Sequence, residues 1–321
     1  MAQIKVGVLR GGPSSEYEVS LKTGGNVLKH LPEKYQRRDI LLTKEGQWHL
    51  DGFLKAPEKI FRSVDVIFNA LHGQFGEDGK VQRLLETFGV NYTGSGVFAS
   101  ALAMNKILSR EAFRQAGIRV PRGYVIKKSE PIYDAAVRIF QRLGPSFVAK
   151  PVSRGSSVGV SAAHNFNRLL DAVESAFVYD DNVLVEEYIM GREATCGVLE
   201  NFRGQEHYVL PPIEIIPKNP DSLFNYQAKY DGSSQEICPA NFDLETKREI
   251  EEIAKKAHEI LGCRHYSRSD MIVSDRGIYL LEINTLPGLT SESLIPKSAS
   301  AIGLSFPDLL DHLIKLALNK K

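Results

Sequence analysis

A predicted β-hairpin near the C-terminal end of the sequence constrains the fold more than any other stretch. Residues 266–273 and 278–284 are two β-rich runs joined by a short turn that contains Asp-Arg-Gly. Side chains alternate between the two faces of a strand, so polar residues spaced by two share a face. Four polar side chains gather in this way at the end of the hairpin away from the turn: Arg268, Asp270, Glu282 and Asn284.

The length of the turn decides whether these side chains converge. A three-residue turn, with its glycine in the left-handed conformation, places Asp270 opposite Glu282 on one face. A two-residue turn moves Asp270 to the face away from Glu282, because a slip of one residue reverses the facing. We predict the three-residue turn, which also places Arg268 opposite Asn284.

The converging groups form an all-oxygen ligand set. Two carboxylates and an amide oxygen, with no thiol or imidazole among them, suit a hard cation such as Mg²⁺ completed by water and phosphate. An isolated acidic residue on a surface hairpin is more often simply solvated, but the apolar strands around these residues argue against that interpretation. We therefore predict a divalent metal site used with a nucleotide, with Asp270, Glu282 and Asn284 as ligands.

The overall charge excludes several classes of partner. The 321 residues carry 40 lysines and arginines against 39 aspartates and glutamates, and no basic run concentrates positive charge. This balance gives no support to binding of nucleic acid or of an anionic membrane. The length leaves room for two or three subdomains, and strands that alternate with helices without an obvious repeat predict a mixed α/β fold.

The cysteines and the apolar runs favour a cytoplasmic protein. Three cysteines, Cys196, Cys238 and Cys263, are odd in number and lack metal-site spacing. A reducing compartment therefore fits better than a disulfide framework. No apolar run approaches the roughly 20 residues that a membrane-spanning helix needs, and the first residues do not form the apolar segment of a signal peptide.

Glycine-rich turns follow two predicted strands, residues 5–9 and 64–71. The first turn does not have the G-x-G-x-x-G spacing, and Glu16 would repel a phosphate there, so an ammonium group is the better ligand. The structural alternative is that the acidic side chain only stabilises the N-terminus of the following helix. The residues alone allow this alternative for Glu16 and for Glu18 equally. His72 opens the second turn, at the strand end where α/β sheets bind ligands, although a lone histidine is more often structural.

Two lysines occupy positions that suit phosphate. Asn105 can cap a helix from Lys106 to Gln115, and free N–H groups beside a lysine in the first turn favour a bound anion. Lys150 ends an apolar strand before a serine- and glycine-rich loop, which is not a Walker A loop but can cover a triphosphate as a flap. The structural alternatives are a lysine that points into water and a plain β-turn.

Two further helices are predicted from capping and periodicity. Asp243 can cap a helix whose apolar face includes Ile250 and Leu261 and which ends at Gly262. We expect this helix to pack on the sheet that contains the hairpin. A final helix over about residues 306–318 has a structural pattern as well.

Five ordered motifs resemble those of the D-alanine–D-alanine ligase family of ATP-grasp enzymes. In chain order they are residues 11–20 (GGPSSEYEVS), residues 72–79 (HGQFGEDG), residues 150–159 (KPVSRGSSVG), residues 225–230 (NYQAKY) and residues 282–288 (EINTLPG). The resemblance extends over nearly the whole chain. For the first glycine-rich turn, the resemblance favours ammonium binding by Glu16 over a purely structural role of Glu16 or Glu18. Glu16 matches the acid that holds the D-alanine ammonium in the family.

The resemblance implies an α/β fold with α+β subdomains. In this ATP-grasp architecture, residues 1–103 form an N-terminal parallel-sheet domain and residues 104–188 a small central ATP-binding domain. Residues 189–321 form a C-terminal antiparallel-sheet catalytic domain, with an ω-loop lid at about residues 217–236. ATP is expected to lie between the second and third subdomains.

The resemblance also implies a reaction. The carboxylate of one D-alanine attacks the γ-phosphorus of ATP to give an acyl phosphate and ADP, and the amine of a second D-alanine then displaces phosphate. Two Mg²⁺ ions, replaceable by Mn²⁺, assist the transfer, and Glu282 is their shared ligand. The product serves peptidoglycan synthesis, and the family resemblance further implies a homodimer.

By resemblance, nine residues are assigned to ATP: Lys106, Lys150, Ser156, Ser157, Glu186, Glu187, Ile189, Glu193 and Lys229. Lys150 is expected on the α- or β-phosphate and Lys229 on the γ-phosphate. Glu186 is expected to accept a hydrogen bond from the adenine amino group, and Glu193 from the ribose hydroxyls. Several relatives carry a basic residue at the position of Glu187.

The remaining assignments concern the amino-acid substrates and are Glu16, His72, Ser156, Tyr230, Arg268, Gly288, Ser293 and Leu294. Arg268 and the Gly288 N–H are expected to stabilise the oxyanion. Ser156 and Tyr230 are expected to link with Glu16, and the general base is Tyr230 or His72. Tyr230 favours D-alanine as the second substrate over other amino or hydroxy acids. A nucleotide-responsive binding protein without chemistry is the alternative from another class.

Overall fold

The computed structural model describes residues 3–155, 158–217 and 234–319. Three β-sheets follow one another along the chain, and helices pack against them. Within the described ranges, no helix combines the length and the apolar character needed to cross a membrane.

The first sheet has a parallel centre and an antiparallel edge. Its strands are β1 (Ile4–Gly11), β2 (Tyr35–Leu42), β3 (Trp48–Leu50), β4 (Phe53–Leu54), β5 (Val66–Asn69) and β6 (Asn91–Tyr92). The order is β4-β3-β2-β1-β5-β6, with β2, β1, β5 and β6 parallel. The antiparallel β3 and β4 were not predicted. The helices of this part are α1 (Tyr17–His30), α2 (Pro57–Phe61), α3 (Lys80–Thr87) and α4 (Val97–Met104).

The second sheet is small and antiparallel. Its part of the chain contains α5 (Lys106–Gln115), β7 (Gly123–Lys127), α6 (Ile132–Leu143), β8 (Phe147–Pro151), β9 (Ser161–Ala163), α7 (Phe166–Ala176) and β10 (Asn182–Glu187). The strand order is β7-β10-β8-β9, and α6 and α7 bury their apolar faces against it. Asn105 caps α5 as predicted, because its side chain accepts the N–H groups of Ile107 and Leu108.

The third sheet contains the hairpin. Its part of the chain contains β11 (Arg192–Phe202), β12 (Gln205–Val209), β13 (Ile213–Pro217), β14 (Ser234–Ile237), α8 (Leu244–Leu261), β15 (Tyr266–Ser274), β16 (Gly277–Asn284), α9 (Leu294–Ala301) and α10 (Phe306–Leu318). The order is β14-β13-β11-β15-β16, and β12 also pairs with β11. Asp243 caps α8, Gly262 ends it in the left-handed conformation, and α8 packs on the sheet, as predicted.

The helices α9 and α10 pack between the first and the third sheet, since Leu199 of β11 and Tyr266 of β15 belong to the same core cluster as these helices. Their apolar side chains share one core cluster with Val6, Val8 and Phe68 of the first sheet. A buried contact reinforces this packing, since the hydroxyl of Tyr35 donates a 2.6 Å hydrogen bond to Asp311 of α10, 276 positions later. The C-terminal helix therefore completes the core of the N-terminal sheet.

The Asp311 carboxylate predicts a pH dependence of stability. Burial alone would raise the pKa of Asp311, but hydrogen bonds from Lys34, Tyr35 and Lys315 lower it to about 2. A carboxyl group whose pKa is lowered by folding stabilises the fold above its unfolded pKa, and this stabilisation is lost as the pH falls through the folded pKa. We expect Asp311→Asn to lower the free energy of unfolding at pH 7 by up to about 2 kcal/mol.

Urea denaturation of both proteins between pH 7 and pH 2 tests this expectation. The difference between wild type and variant should shrink as the pH falls from about 5 toward 2. Asp171→Asn, which changes an exposed aspartate, is the matched control. A destabilisation that stays the same over the whole pH range would contradict the role of the Asp311 charge.

Candidate active site

A cleft opens between the second and third sheets. It contains about 920 Å³ of space when the open solvent at its mouth is counted. The cleft brings together most of the residues that were predicted to hold ATP and metal. These residues are Lys106, Lys150, Glu186, Glu187, Ile189, Glu193, Asp270 and Glu282.

Glu186 lies between two cations in the wall of the cleft. Its side chain is almost fully buried, with Oε2 2.5 Å from Lys150 Nζ and Oε1 2.9 Å from Arg110 Nε. Paired cations of this kind offset the cost of burying a carboxylate. A carboxylate offers about four acceptor positions, so the two cations leave room for a further donor.

Glu187 directs its carboxylate toward two arginines. It accepts hydrogen bonds from the backbone N–H of Arg122 at 2.9 Å and from Arg122 Nη2 at 3.1 Å, and Arg276 Nη1 lies 3.5 Å away. Burial raises the pKa of Glu187, but the hydrogen bonds from Arg122 outweigh it and the pKa falls below its usual value. The side chain is thus an ionised partner of arginines at the edge of the cleft.

The hairpin pairs its strands in the predicted way. Arg268 lies opposite Asn284, and Asp270 lies opposite Glu282. The four side chains that the sequence pattern groups together therefore meet at one end of β15 and β16. This part of the prediction is confirmed.

The turn of the hairpin is shorter than predicted. Ser274 pairs with Gly277, so the turn contains two residues and the prediction of three was wrong. The pairing survives because the register shifts between Asp270 and Met271, where Leu281 is inserted as a β-bulge. A bulge adds one residue to one strand, which compensates the residue missing from the turn. Gly277 has the positive φ that was expected, at 108°.

The Asp270 carboxylate is oriented by three neighbours. Arg268 donates from Nε and Nη2, both at 2.9 Å, Thr195 donates from Oγ1 at 2.6 Å, and Asn284 Nδ2 lies at 3.3 Å. With its amide nitrogen on Asp270, Asn284 keeps its amide oxygen available as a ligand. The two carboxylates and this amide fit a hard divalent cation such as Mg²⁺.

Lys106 connects the hairpin with the loop that follows β8. Its Nζ donates a 2.6 Å hydrogen bond to the backbone oxygen of Arg154 and lies 3.4 Å from Glu282 Oε2. The ammonium group is mostly buried and stands in the first turn of α5. Positive charge is thus placed beside the Glu282 carboxylate of the hairpin.

A smaller pocket adjoins the same end of the hairpin. It brings together further predicted residues: Glu16, His72, Arg268, Asn284, Gly288, Ser293 and Leu294. The hairpin end therefore contributes to both sites, since Asp270 and Glu282 line the cleft whereas Arg268 and Asn284 line the pocket. Whatever binds in the two sites meets at this end.

Glu16 is a buried carboxylate in the pocket wall. It precedes α1 and is 3% exposed. Two glycines face it closely, since a Cβ added to Gly73 would lie 2.5 Å from Glu16 Oε2 and one added to Gly155 would lie 3.5 Å away. Gly73 has a positive φ of 67°, so a side chain there would also strain the backbone. The glycines therefore let the chain approach the carboxylate.

His72 has polar partners on both ring nitrogens. Nε2 lies 2.9 Å from Thr23 Oγ1, and Nδ1 lies 3.5 Å from Glu77 Oε1. Glu77 also accepts the Gly73 N–H at 2.9 Å. The imidazole is only 4% exposed, so these contacts fix its orientation. A proton-transfer role for His72 would require one of these contacts to open.

Ser293 is fixed at the opposite wall of the pocket. Its Oγ accepts the N–H of Thr290 at 2.9 Å and lies 2.8 Å from Thr290 Oγ1. Ser293 immediately precedes α9, and the buried Leu294 begins that helix. A Cβ built on Gly288 would lie only 3.0 Å from Ser293 Oγ. The segment between β16 and α9 thus places three of the predicted residues around one space.

Four of the predicted residues lie outside the described ranges: Ser156, Ser157, Lys229 and Tyr230. Most of the predicted ω-loop at about 217–236 lies outside them as well. The expected link between Glu16 and this lid therefore stays a prediction.

Sequence reasoning missed several polar partners in the two sites. Arg110 stands four residues after Lys106 in α5, which puts both on one helix face, so its position next to the cleft was predictable. Thr195 lies opposite Asp270 because β11 pairs with β15. Nothing in the sequence around either residue indicates that these two strands are neighbours. Glu77 is part of the HGQFGEDG motif, but no role had been assigned to it.

A cleft between two antiparallel sheets, with a cluster of metal-type oxygen ligands at one end, is the arrangement of the ATP-grasp class of proteins. Residues 5–60 and 53–95 match the family model described as D-ala D-ala ligase N-terminus, and residues 112–315 match D-ala D-ala ligase C-terminus. The chain therefore belongs to the D-alanine–D-alanine ligase family and is a ligase.

Similar proteins include a curated relative and two solved structures. The D-alanine–D-alanine ligase of Syntrophobacter fumaroxidans is 44% identical over 317 residues, 98% of each chain. The VanG D-Ala:D-Ser ligase from Enterococcus faecalis is 33% identical, with a TM-score of 0.84 over 98% of this chain and 100% of that one. The Bacillus anthracis D-alanine–D-alanine ligase complexed with ATP is 32% identical, with a TM-score of 0.81 over 98% and 97% of the two chains.

Proposed function

We propose that this ligase uses ATP to join two D-alanine molecules to D-alanyl-D-alanine, with release of ADP and phosphate, for peptidoglycan precursor synthesis. The observation that carries the proposal is that one hairpin end lines two adjoining sites. A phosphoryl donor in the cleft and a carboxylate in the pocket would be held side by side. The name of the S. fumaroxidans relative supports the same reaction.

The reaction has two steps. The carboxylate of the first D-alanine attacks the γ-phosphorus of ATP, the bond to the ADP oxygen breaks, and an acyl phosphate forms. The amine of the second D-alanine then attacks the acyl carbonyl, and the tetrahedral intermediate expels phosphate. Arg268 and the Gly288 N–H stabilise the negative oxygen of that intermediate.

The cleft residues hold ATP. Lys106 and Lys150 bind phosphate oxygens as point charges, and this role requires Lys150 to exchange Glu186 for phosphate. Glu186 and Glu193 accept from the adenine amino group and the ribose hydroxyls. Four residues complete the ATP site, namely Ser156, Ser157, Ile189 and Lys229.

Divalent metal ions are part of the proposal. Asp270, Glu282 and Asn284 would hold two Mg²⁺ ions, or Mn²⁺ in their place, with Glu282 as the shared ligand. The chemistry that bound ions supply here is neutralisation of charge on the phosphate oxygens. Arg268 and Thr195 keep the Asp270 carboxylate in position for them.

The pocket residues hold the amino-acid substrates. Glu16 receives the ammonium group of the first D-alanine, and Ser293 with Leu294 contacts the second. Ser156 and Tyr230 link with Glu16 when the lid closes. The general base is Tyr230 or His72.

The subdomain limits, the assembly and the location are proposed with the function. Residues 1–103, 104–188 and 189–321 act as the N-terminal, central and C-terminal subdomains. The enzyme is a homodimer, as the family resemblance implies, which light scattering can test. It works in the cytoplasm, where its substrate ATP is available.

A D-alanine–D-serine ligase is the second candidate. The VanG D-Ala:D-Ser ligase matches this chain over its full length with a TM-score of 0.84, so the shape of the fold does not decide between the two acceptors. Tyr230 favours D-alanine by resemblance.

Phosphate release with product analysis tests the function. The enzyme is supplied with ATP, Mg²⁺ and D-alanine, L-alanine, D-serine or D-lactate, alone and in pairs with D-alanine. Phosphate in equal amount to D-alanyl-D-alanine, obtained with D-alanine alone, would support the proposal. A mixed product with D-serine or D-lactate would assign that compound as the second substrate in place of D-alanine. If no substrate gives phosphate release, the result would favour a nucleotide-responsive binding protein.

A small substitution in the pocket gives a further prediction. In Gly288→Ala the new methyl group would lie 3.0 Å from Ser293 Oγ and 3.9 Å from His72 Cε1. A misplacement of reacting groups by about an ångström can cost about a hundredfold, so we expect kcat/KM for D-alanine to fall by about tenfold to a hundredfold. Steady-state phosphate release at varied D-alanine concentration measures the effect.

The matched control is Gly25→Ala, where an added Cβ meets nothing within 4 Å. Its kcat/KM should stay at the wild-type value. An unchanged kcat/KM in Gly288→Ala would show that the Gly288 backbone does not border the reacting groups.

A further inference from the structure

A group of three potential metal ligands lies outside both the cleft and the pocket. Glu200 is in β11, His207 in β12 and His258 in the last turn of α8. One ligand atom from each side chain lies within 4.8 Å of the others. The group joins three elements that are separate in sequence, and the reaction described above makes no use of it.

The pairing of the strands brings two of the ligands together. Glu200 lies directly opposite His207 in the antiparallel β11–β12 pair, and directly opposite side chains point to the same face. The imidazole of His258 approaches from the helix that covers this face, and its ring centroid lies 5.3 Å from that of His207. The three side chains therefore face one small volume between sheet and helix.

His258 supplies an independent sign of a missing partner. The residue is 0% exposed, and its Nε2 has no hydrogen-bond partner among the described residues. The carboxylate oxygen Oε1 of Glu200 is 3.7 Å from this nitrogen, which is beyond hydrogen-bond range. A buried polar nitrogen without a partner is costly. A metal ion between Nε2 and the Glu200 carboxylate would satisfy both groups.

Each of the three side chains is also oriented by a second contact. His258 Nδ1 lies 2.7 Å from Ser267 Oγ, and His207 Nδ1 lies 3.0 Å from Glu259 Oε1. Glu200 Oε2 accepts the His265 N–H at 2.6 Å. Ligating histidines in proteins usually bond through their other nitrogen to a carboxylate or a similar group. The surroundings therefore resemble those of metal-binding side chains.

The donor set and the exposure indicate the kind of ion. Two imidazoles and one carboxylate suit a borderline d-block cation such as Zn²⁺, unlike the all-oxygen set in the cleft. Zn–N distances of about 2.0–2.1 Å put two ligands of a tetrahedral site about 3.3 Å apart, so the side chains must close in. Glu200 and His207 are 19% and 17% exposed, so this movement falls on them rather than on the fully buried His258.

We propose that Glu200, His207 and His258 form a site for a divalent d-block cation of the zinc type, which binds the β11–β12 hairpin to α8. Three protein ligands leave a fourth position for water on the exposed side. The ion stabilises the third sheet, and the proposal does not depend on the substrates of the ligase. A purely structural contact between His258 and Glu200, without a metal ion, is the competing interpretation.

Metal titration of the full-length enzyme tests the site. The protein is first stripped with a chelator and then titrated with Co²⁺ or Zn²⁺ in excess Mg²⁺, which occupies the oxygen ligands of the cleft. We expect one equivalent of Co²⁺ to bind with the visible absorption of a low-symmetry site that contains imidazole. One equivalent of Zn²⁺ should displace the Co²⁺, and the Zn²⁺-bound protein should have a higher Tm than the chelator-stripped protein.

The variants separate this site from other histidines. His207→Gln and Glu200→Gln change partly exposed residues and should weaken Zn²⁺ binding by at least about tenfold. The control His164→Gln removes an exposed histidine that follows β9 and should leave binding unchanged. Circular dichroism of the chelated variants verifies that they fold.

Two outcomes would overturn the proposal. One is the absence of Zn²⁺ and Co²⁺ binding by the wild type in excess Mg²⁺. The other is binding that His207→Gln and Glu200→Gln leave unaltered. Either result would assign the three side chains to a structural contact without a metal ion.

Discussion

Replacing Glu282 by alanine is expected to lower kcat by about a thousandfold or more, because metal ions at a phosphoryl group supply several kcal/mol of transition-state stabilisation. Glu282 lies opposite Asp270 and 3.4 Å from Lys106 Nζ. In the proposed mechanism it is the shared ligand of both ions, so its loss affects both at once. Phosphate release at saturating ATP, Mg²⁺ and D-alanine measures the effect.

The fold should tolerate this change. The Glu282 side chain is 26% exposed, and Lys106 keeps its hydrogen bond to the backbone of Arg154. The Tm should therefore stay near that of the wild type. Glu206→Ala, which removes an exposed glutamate of β12, is the control and should retain full activity. A kcat within tenfold of wild type in Glu282→Ala would exclude Glu282 as the bridging ligand.

Replacing Arg268 by lysine is expected to lower kcat by about a hundredfold to a thousandfold, the usual loss when one donor to a developing oxyanion is removed. Arg268 binds both oxygens of Asp270 and also lines the pocket. Lysine keeps the charge but cannot form this two-pronged contact. The variant should therefore lose a hydrogen-bond donor to the oxyanion and, at the same time, hold the Asp270 carboxylate less firmly.

The dependence on Mg²⁺ concentration separates these two effects. If Arg268 positions Asp270, Arg268→Lys should need a higher Mg²⁺ concentration for half-maximal rate, and excess Mg²⁺ should restore only part of kcat. Arg38→Lys, which changes an arginine paired with Asp51 on the first sheet, should change neither quantity. A wild-type kcat in Arg268→Lys would show that the Arg268 guanidinium does not stabilise the transition state.

Local signals predicted several elements correctly. The helix from Lys106 to Gln115 follows from its Asn105 cap, and the later helix with an Asp243 cap has the expected ends. Short-range hydrogen bonds and periodicity determine such ends, so a single sequence contains the information.

The hairpin shows how a correct pairing can follow from an incorrect turn. The predicted three-residue turn and the observed two-residue turn differ by one position, and the bulge at Leu281 restores the same pairing. A bulge has no strong signature in a sequence such as this one, where it inserts an ordinary leucine. The facing of Asp270 and Glu282 was derived from the three-residue turn, so a correct pairing was reached from an incorrect premise.

Contacts between distant parts of the chain could not be predicted. The Thr195 contact to Asp270 depends on the pairing of β11 with β15, and strand order is a property of the whole fold. The Glu200 and His207 pair also needs its cross-strand register and the position of α8 before the two residues stand out. No motif in the sequence marks either arrangement.

The packing of α10 on the N-terminal sheet has a consequence for synthesis on the ribosome. Tyr35 and its partner Asp311 are 276 positions apart, so the first sheet leaves the exit tunnel long before the helix that covers it. Until then Val6, Val8 and Phe68, which share a core with α10, lack the part of their packing that the C-terminal helices supply, and exposed apolar surface favours aggregation. The packing of the first sheet is therefore completed only after α10 has been translated, and until then the nascent chain is more exposed to aggregation than the finished protein.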